Sequence, residues 1–129
     1  MARTADTINF INTADCLDVT GNYQVIDAIT GVGNGMAIAD FFNARDNYGF
    51  LVINNTTVSA KKVTLVAGTE YPQGKQGNLD VSCPASKVSL VRVENPARFS
   101  QADGSLIAEF ETGMTGFAAP VAFRTSLGL

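Results

Sequence analysis

The stretch LDVSCPASKVSLVRV, residues 79–93, decides the fold. Leu79, Val81 and Cys83 alternate with Asp80 and Ser82, and a side-chain period of two marks a strand with one buried face. Pro84 ends that strand because it has no N–H to give to a ladder. From Lys87 onward the phase changes. Val88 and Leu90 share one face, whereas Val91 and Val93 share the other, next to Arg92. A β-bulge or a crossing between sheets would produce such a slip.

The same periodicity extends outward. Leu106, Ala108 and Phe110 fall on one face, with Glu109 and Glu111 on the other, which predicts a second half-buried strand. Residues 48–53 are apolar on both faces apart from Gly49, which predicts a central strand covered from both sides. Further strands are predicted over residues 7–11, 16–19, 23–29, 36–42, 62–66 and 117–124. Residues 36–42 also fit a short helical turn ahead of Asn43. Twelve glycines and four prolines punctuate these segments at short intervals, a spacing that reads as all-β, in a sandwich or small barrel.

Composition bounds what such a fold can do. A chain of 129 residues is one domain's worth of protein, and 46% hydrophobic against 16% charged residues places it among globular sequences. There is no histidine, which removes Ser-His-Asp and Cys-His nucleophile pairs and histidine-ligated metals. The net charge of −3 is opposite in sign to a nucleic-acid-binding footprint. Apolar runs such as residues 50–53 and 117–119 are far below the ~20 residues that span a bilayer. The N-terminal MARTADTINF has no continuous apolar run, so no secretory signal is read there and a cytoplasmic origin is expected. Cys16 and Cys83 match no zinc or CxxC spacing, and in a reducing compartment they read as two buried apolar groups rather than a disulfide.

Other candidates have plain structural readings. Gly31, Gly33 and Gly35 invite a phosphate-loop reading, but Met36 stands where a dinucleotide fingerprint needs glycine, so a loop between strands is expected. Asn54, Asn55, Thr56 and Thr57 mark a turn. Lys61 and Lys62 read as a solvated strand edge. Glu109 and Glu111, at i and i+2, read as an exposed strand face rather than an acid-base pair. Asp103-Gly104 supplies the positive φ of a tight hairpin turn between residues 99–102 and 105–110. Residues 67–77, AGTEYPQGKQG, form the longest stretch without alternation. There an aromatic beside a proline, at Tyr71, Pro72 and Gln73, offers a partner contact on a loop.

The order of these features resembles the small β-sandwich proteins that decorate the capsid exterior of tailed bacteriophages. LVINN at 51–55 precedes KKVTLVAG at 61–68, then YPQGKQGNLDVSCPAS at 71–86 and VSLVRVENPARFSQADGSLIAEF at 88–110. The resemblance covers residues 48–125, and its most specific piece is ARFSQADGSLIAEF, similar to the family's late hairpin. It implies a non-enzymatic, cofactor-free protein that binds the major capsid protein lattice from outside, stabilises the head and sits there as a homotrimer. It also implies an N-terminal arm over residues 1–12 that touches neighbours through Thr7, Ile8, Asn9, Phe10 and Ile11, segments of strand propensity. The region between Thr13 and Asn47 is longer than in simpler family members.

The resulting expectation is a single-domain antiparallel β-sandwich, jelly-roll-like or immunoglobulin-like, over residues 13–129. It would be made in the host bacterial cytoplasm and located on the virion exterior. No catalytic residue, metal ligand, nucleic acid or membrane enters this reading. The rivals are another virion part, such as a tail tube, head fibre or connector, and a glycan- or receptor-binding sandwich module. The absence of Trp and of any EF-hand-like Asp spacing weighs against the last.

Overall fold

Alternating strands leave each sheet with an apolar side, and stacking two sheets hides both sides at once. The computed structural model describes residues 3–6, 9–11, 23–39, 41, 47–69, 75–93 and 96–124, and these build an all-β sandwich. In chain order the strands are β1 (Thr4–Asp6), β2 (Asn9–Ile11), β3 (Gln24–Val25), β4 (Met36–Ile38) and β5 (Asn47–Asn55). They continue with β6 (Lys61–Leu65), β7 (Leu79–Cys83), β8 (Lys87–Val93), β9 (Leu106–Phe110) and β10 (Gly116–Arg124). The first sheet has the order β1-β4-β9-β6-β7 and the second β2-β10-β5-β8, with β3 also paired to β10.

Most ladders are antiparallel. The exceptions come from the N-terminal segment, where β1 runs parallel to β4 and β2 parallel to β10. The segment expected to reach away as an arm therefore lends an edge strand to each sheet of its own domain. β10 trades partners along one edge, pairing with β3 at Phe117 and Ala118 and with β2 from Val121 to Phe123. Pro120 falls in the interval between them, which is where an interior strand tolerates a residue lacking N–H.

The core lies between the sheets. Met36, Ile38, Val63, Leu65, Leu106, Ala108 and Phe110 face it from the first sheet, and Leu51, Ile53, Val91, Val93 and Ala118 from the second. Phe41 closes one flank. A Cβ added at Gly49 would lie 2.1 Å from the Phe41 ring, so the missing side chain in this strand is the seat for that ring. Gly35, at φ +92, passes so close to Ala108 that a Cβ would meet its carbonyl oxygen at 2.1 Å.

Two connections cross between sheets at one end, from β5 to β6 and from β7 to β8, and one side chain holds both. Asn55 is fully buried. Its amide N–H groups are shared among the carbonyls of Ser59 (3.2 Å), Cys83 (3.2 Å) and Pro84 (3.1 Å). Its carbonyl oxygen accepts the Thr57 N–H at 3.0 Å. Nearby, Ser86 N–H donates to the Thr57 carbonyl and Thr56 N–H to the Thr115 carbonyl, which brings the β9–β10 connection into the same lacing.

Several sequence expectations change here. No bulge or sheet crossing interrupts residues 87–93, because β8 keeps unbroken register with β5 from Gly49 opposite Val93 to Asn55 opposite Lys87. The phase change has another cause: Val88 and Leu90 are apolar residues on the outer face, 66% and 65% exposed. Residues 48–53 do form part of an interior strand, but only its inner side is closed. Leu51 and Ile53 are fully buried, whereas the outward Phe50 and Val52 are half-buried.

The predicted strand at 23–29 stops after Val25 and becomes a 3-10 helix, Ile26–Ala28. There Asp27 accepts the Gly116 N–H at 3.0 Å and Ile26 turns fully into the core. β4 ends at Ile38 rather than at 42. Residues 99–102 form no strand: α1 (Pro96–Phe99) is one helical turn that buries Phe99. Asp103-Gly104 therefore turns a helix into a strand, with Gly104 at φ 82. Lys61 and Lys62 start an interior strand, between β9 and β7, and not an edge. The predicted strand at 16–19, and Cys16 with it, lies outside the described residues. Cys83 is a free, buried thiol whose pKa burial pushes up.

Replacing Asn55 with Ala removes the partner of three carbonyls and one N–H around a buried side chain, and is expected to cost about 1–3 kcal/mol. Urea unfolding of N55A measures it. A loss below about 0.5 kcal/mol would show the lacing to be dispensable.

Candidate interaction surface

The two outward faces of the sandwich differ in chemistry. On the first sheet they follow the usual alternation, apolar inward and polar outward. Lys62 and Thr64 of β6, Asp80 and Ser82 of β7 and Glu109 of β9 point outward at matched register. Thr64 Oγ1 donates to Asp80 Oδ1 at 2.7 Å across the strands.

A shallow cleft of about 320 Å³ opens on this face, lined by Gly31, Val32, Lys62, Thr64, Glu109, Phe110, Glu111 and Thr112. Its two carboxylates are already engaged. Glu109 is not an exposed strand residue, as its alternation suggested, but 8% exposed. Arg3 pairs with its Oε2 at 2.7 Å, and the Gly33 N–H donates to the same oxygen at 3.0 Å. Arg3 also donates to the Asn34 carbonyl. Glu111 is exposed, accepts the Lys62 N–H at 2.9 Å and lies 3.7 Å from Lys61 Nζ. Glu109 fastens the Gly31–Gly35 loop and the N-terminal strand to the sheet, and Glu111 binds the start of β6; they do not form a proton-transfer pair, since each serves its own structural donors.

The outer face of the second sheet breaks the alternation. Its outward residues are Val88, Leu90 and Arg92 on β8, Phe50, Val52 and Asn54 on β5, and Phe117, Ala119 and Val121 on β10, aligned by register. Val25 of β3 extends the row opposite Phe117. Tyr23 packs its ring edge-on against Phe117, with centroids 5.6 Å apart and planes at 74°. Tyr23 and Val25 remain 41% and 49% exposed. Arg92 carries the single charge among the described outward positions just named. Ala119 and Val121 are themselves buried, so the accessible apolar surface runs over Val88 and Leu90, the half-buried Phe50, Val52 and Phe117, and Tyr23 and Val25; apolar residues grouped in this way mark an interaction site, whereas scattered exposed ones would not.

Of the residues singled out as contacts from sequence, Asn9, Phe10 and Ile11 form β2, in register with Val121, Ala122 and Phe123. Thr7, Ile8, Tyr71, Pro72 and Gln73 lie outside the described residues. The described ends of their loop are tied down: Arg98 Nε donates to the Gly77 carbonyl at 3.1 Å and Gln101 to the Ala67 carbonyl at 3.1 Å. Sequence reasoning missed Val88, Leu90, Val52, Val25 and Tyr23. The signal for Val52 lay in the doubly apolar run at 50–53, read as burial on both faces, and that for Val88 and Leu90 in the phase change after Lys87, read as a bulge or sheet crossing; Tyr23 and Val25 stood within a strand expected over residues 23–29.

Among the described residues, no group of three or more Cys, Asp and Glu side chains could hold a metal ion, and no helix is long and apolar enough to cross a membrane. Comparison with protein-family models, with curated proteins and with solved structures finds no match.

Two predictions follow from the polar face and its flank. Arg3→Ala strips Glu109 of its cation, and the N-terminal strand should exchange its amide hydrogens at least tenfold faster, with a stability loss of about 1–2 kcal/mol discounted for partial exposure. Unchanged exchange at Thr4 would contradict the clamp. Hydrogen bonds from the Ser105 hydroxyl and N–H hold the Asp103 carboxyl below its usual range. A depressed folded pKa stabilises above the free value of about 3.9 and loses that contribution as pH falls through the folded value. Asp103→Asn should therefore flatten the acid limb of a stability profile below about pH 4. An identical limb would contradict it.

Proposed function

We propose that this protein is a structural component of a tailed-phage virion, a decoration protein that binds the outside of the major capsid protein lattice and stabilises the head without catalysing a reaction. The single observation that carries the reading is the outer face of the second sheet. It is apolar, nearly uncharged and built on the interior strands β5 and β10 together with the edge strand β8, so it offers a pre-ordered contact of low conformational cost. Burying an exposed Leu or Val there contributes at most about 1.5–3 kcal/mol per side chain. A few such contacts give modest affinity alone, and repetition over a lattice multiplies their effect.

The resemblance of residues 48–125 to capsid decoration sandwiches supports the choice of partner. The engaged carboxylates of the opposite face support a role without chemistry. The virion-exterior location belongs to the same proposal.

The test is co-sedimentation of the purified chain with expanded, undecorated heads, with unexpanded proheads in parallel. Saturable binding at a fixed ratio to major capsid protein is expected on expanded heads, and Val25→Lys, on a half-exposed position away from the core, should weaken it about tenfold or more. Heads carrying the protein should also retain DNA to higher temperature than bare heads. Binding to neither shell would overturn the reading and move the assignment to a tail, fibre or connector part.

A further inference from the structure

Among the described residues the two sheets have several edges, and all but one are guarded. β1 and β2 are three residues long, and β3 is two. β7 is five residues, with Asp80 and Ser82 exposed and Pro84 directly behind it. Short length, charge and proline are the devices by which folded proteins keep edges from pairing. β8 has none of them along its middle: seven residues, no proline, no acid and no bulge. Its two cations, Lys87 and Arg92, sit towards its ends. Among the described residues β8 pairs with β5 alone, and Val88 and Leu90 stand 66% and 65% exposed beside the free edge.

We propose that β8 is a self-pairing edge, at which two copies of this chain join antiparallel about a two-fold axis at Ser89. A second copy is the occupant because the strand is complementary to itself in that register. Val88 meets the partner's Leu90 on the outer face, and Leu90 meets the partner's Val88. Lys87 meets the partner's Val91, and neither Lys87 nor Arg92 faces its own counterpart. Cross-strand apolar pairs of this kind add to the main-chain bonds of the new ladder. The second sheets of both copies then run on as one sheet of order β2-β10-β5-β8-β8-β5-β10-β2, and their apolar outer faces become one continuous surface. A contact of a single strand and its flanking side chains is smaller than the ~1,600 Å² of a standard interface, so a dissociation constant of roughly micromolar order is expected.

The inference stands on the edge itself and not on capsid docking, so it is tested on the full chain with no capsid present. Sedimentation velocity from about 5 to 500 μM should show a monomer–dimer shift, and L90K and V88K should each raise the dissociation constant about tenfold or more. Both substitutions fall on largely exposed positions, and unchanged circular dichroism and melting temperature verify the fold. Ser89→Cys should trap the dimer under mild oxidation, whereas the unmodified chain and Ser82→Cys, on the opposite face, should not. A chain that stays monomeric over the whole range would overturn the proposal, as would a dimer that neither lysine dissolves or that Ser89→Cys does not trap.

Discussion

The sandwich depends on the amide of Asn55. Two sheets with apolar inner faces attract each other in many registers, because hydrophobic burial is not directional. Hydrogen bonds to a fully buried amide are directional, and they carry a penalty when unmade. Asn55 ends β5 in the second sheet and binds carbonyls on the connections that lead into β6 and out of β7. Strand pairing then does the rest: β6 and β7 must lie in the first sheet, and β8 must return to pair with β5. The position of β8 at the sheet's edge is a consequence of that crossover.

With the crossovers set, the two outer faces diverge. The first sheet receives the Gly31–Gly35 loop and the N-terminal strand, and Glu109 anchors both through Arg3 and the Gly33 N–H. Its outward residues otherwise follow the polar alternation expected of a solvated sheet. On the second sheet, apolar residues on both sides of β5 and an apolar pair on β8 leave a face that water does not favour. Retaining such a face lowers solubility, and proteins keep one where a partner covers it. The structural and the functional readings meet at this point, because the strand that the Asn55 crossover delivers to the edge also carries Val88 and Leu90.

Much of the fold was legible in the sequence, and what was missed has physical causes. Period-two alternation located β7 and β9 to the residue, and glycine and proline spacing gave the all-β class. Pairing between distant segments leaves no local mark, so the strand expected over residues 7–11 carried no sign that β2 closes a sheet of its own domain, and β1 was not expected. Alternation also cannot tell an apolar outer face from a second buried layer, which is why residues 50–53 read as covered on both sides. No strand forms at 99–102, because a single helical turn ends at Phe99 and delivers its ring to the core. Glu109 looked exposed because its neighbours, Arg3 and Gly33, are distant in sequence. Asn55 read as a turn marker, and only the third dimension shows that its amide faces inward.

The central claim is that the apolar face of the second sheet, and not the polar face of the first, meets the capsid. Hydroxyl-radical footprinting of the protein on and off expanded heads tests it most directly. The account predicts that labelling of Tyr23, Val88 and Leu90 falls on bound protein while Val32, which lines the cleft on the polar face of the first sheet and is 92% exposed, labels as before. Protection of Val32 with Tyr23, Val88 and Leu90 unchanged would contradict it.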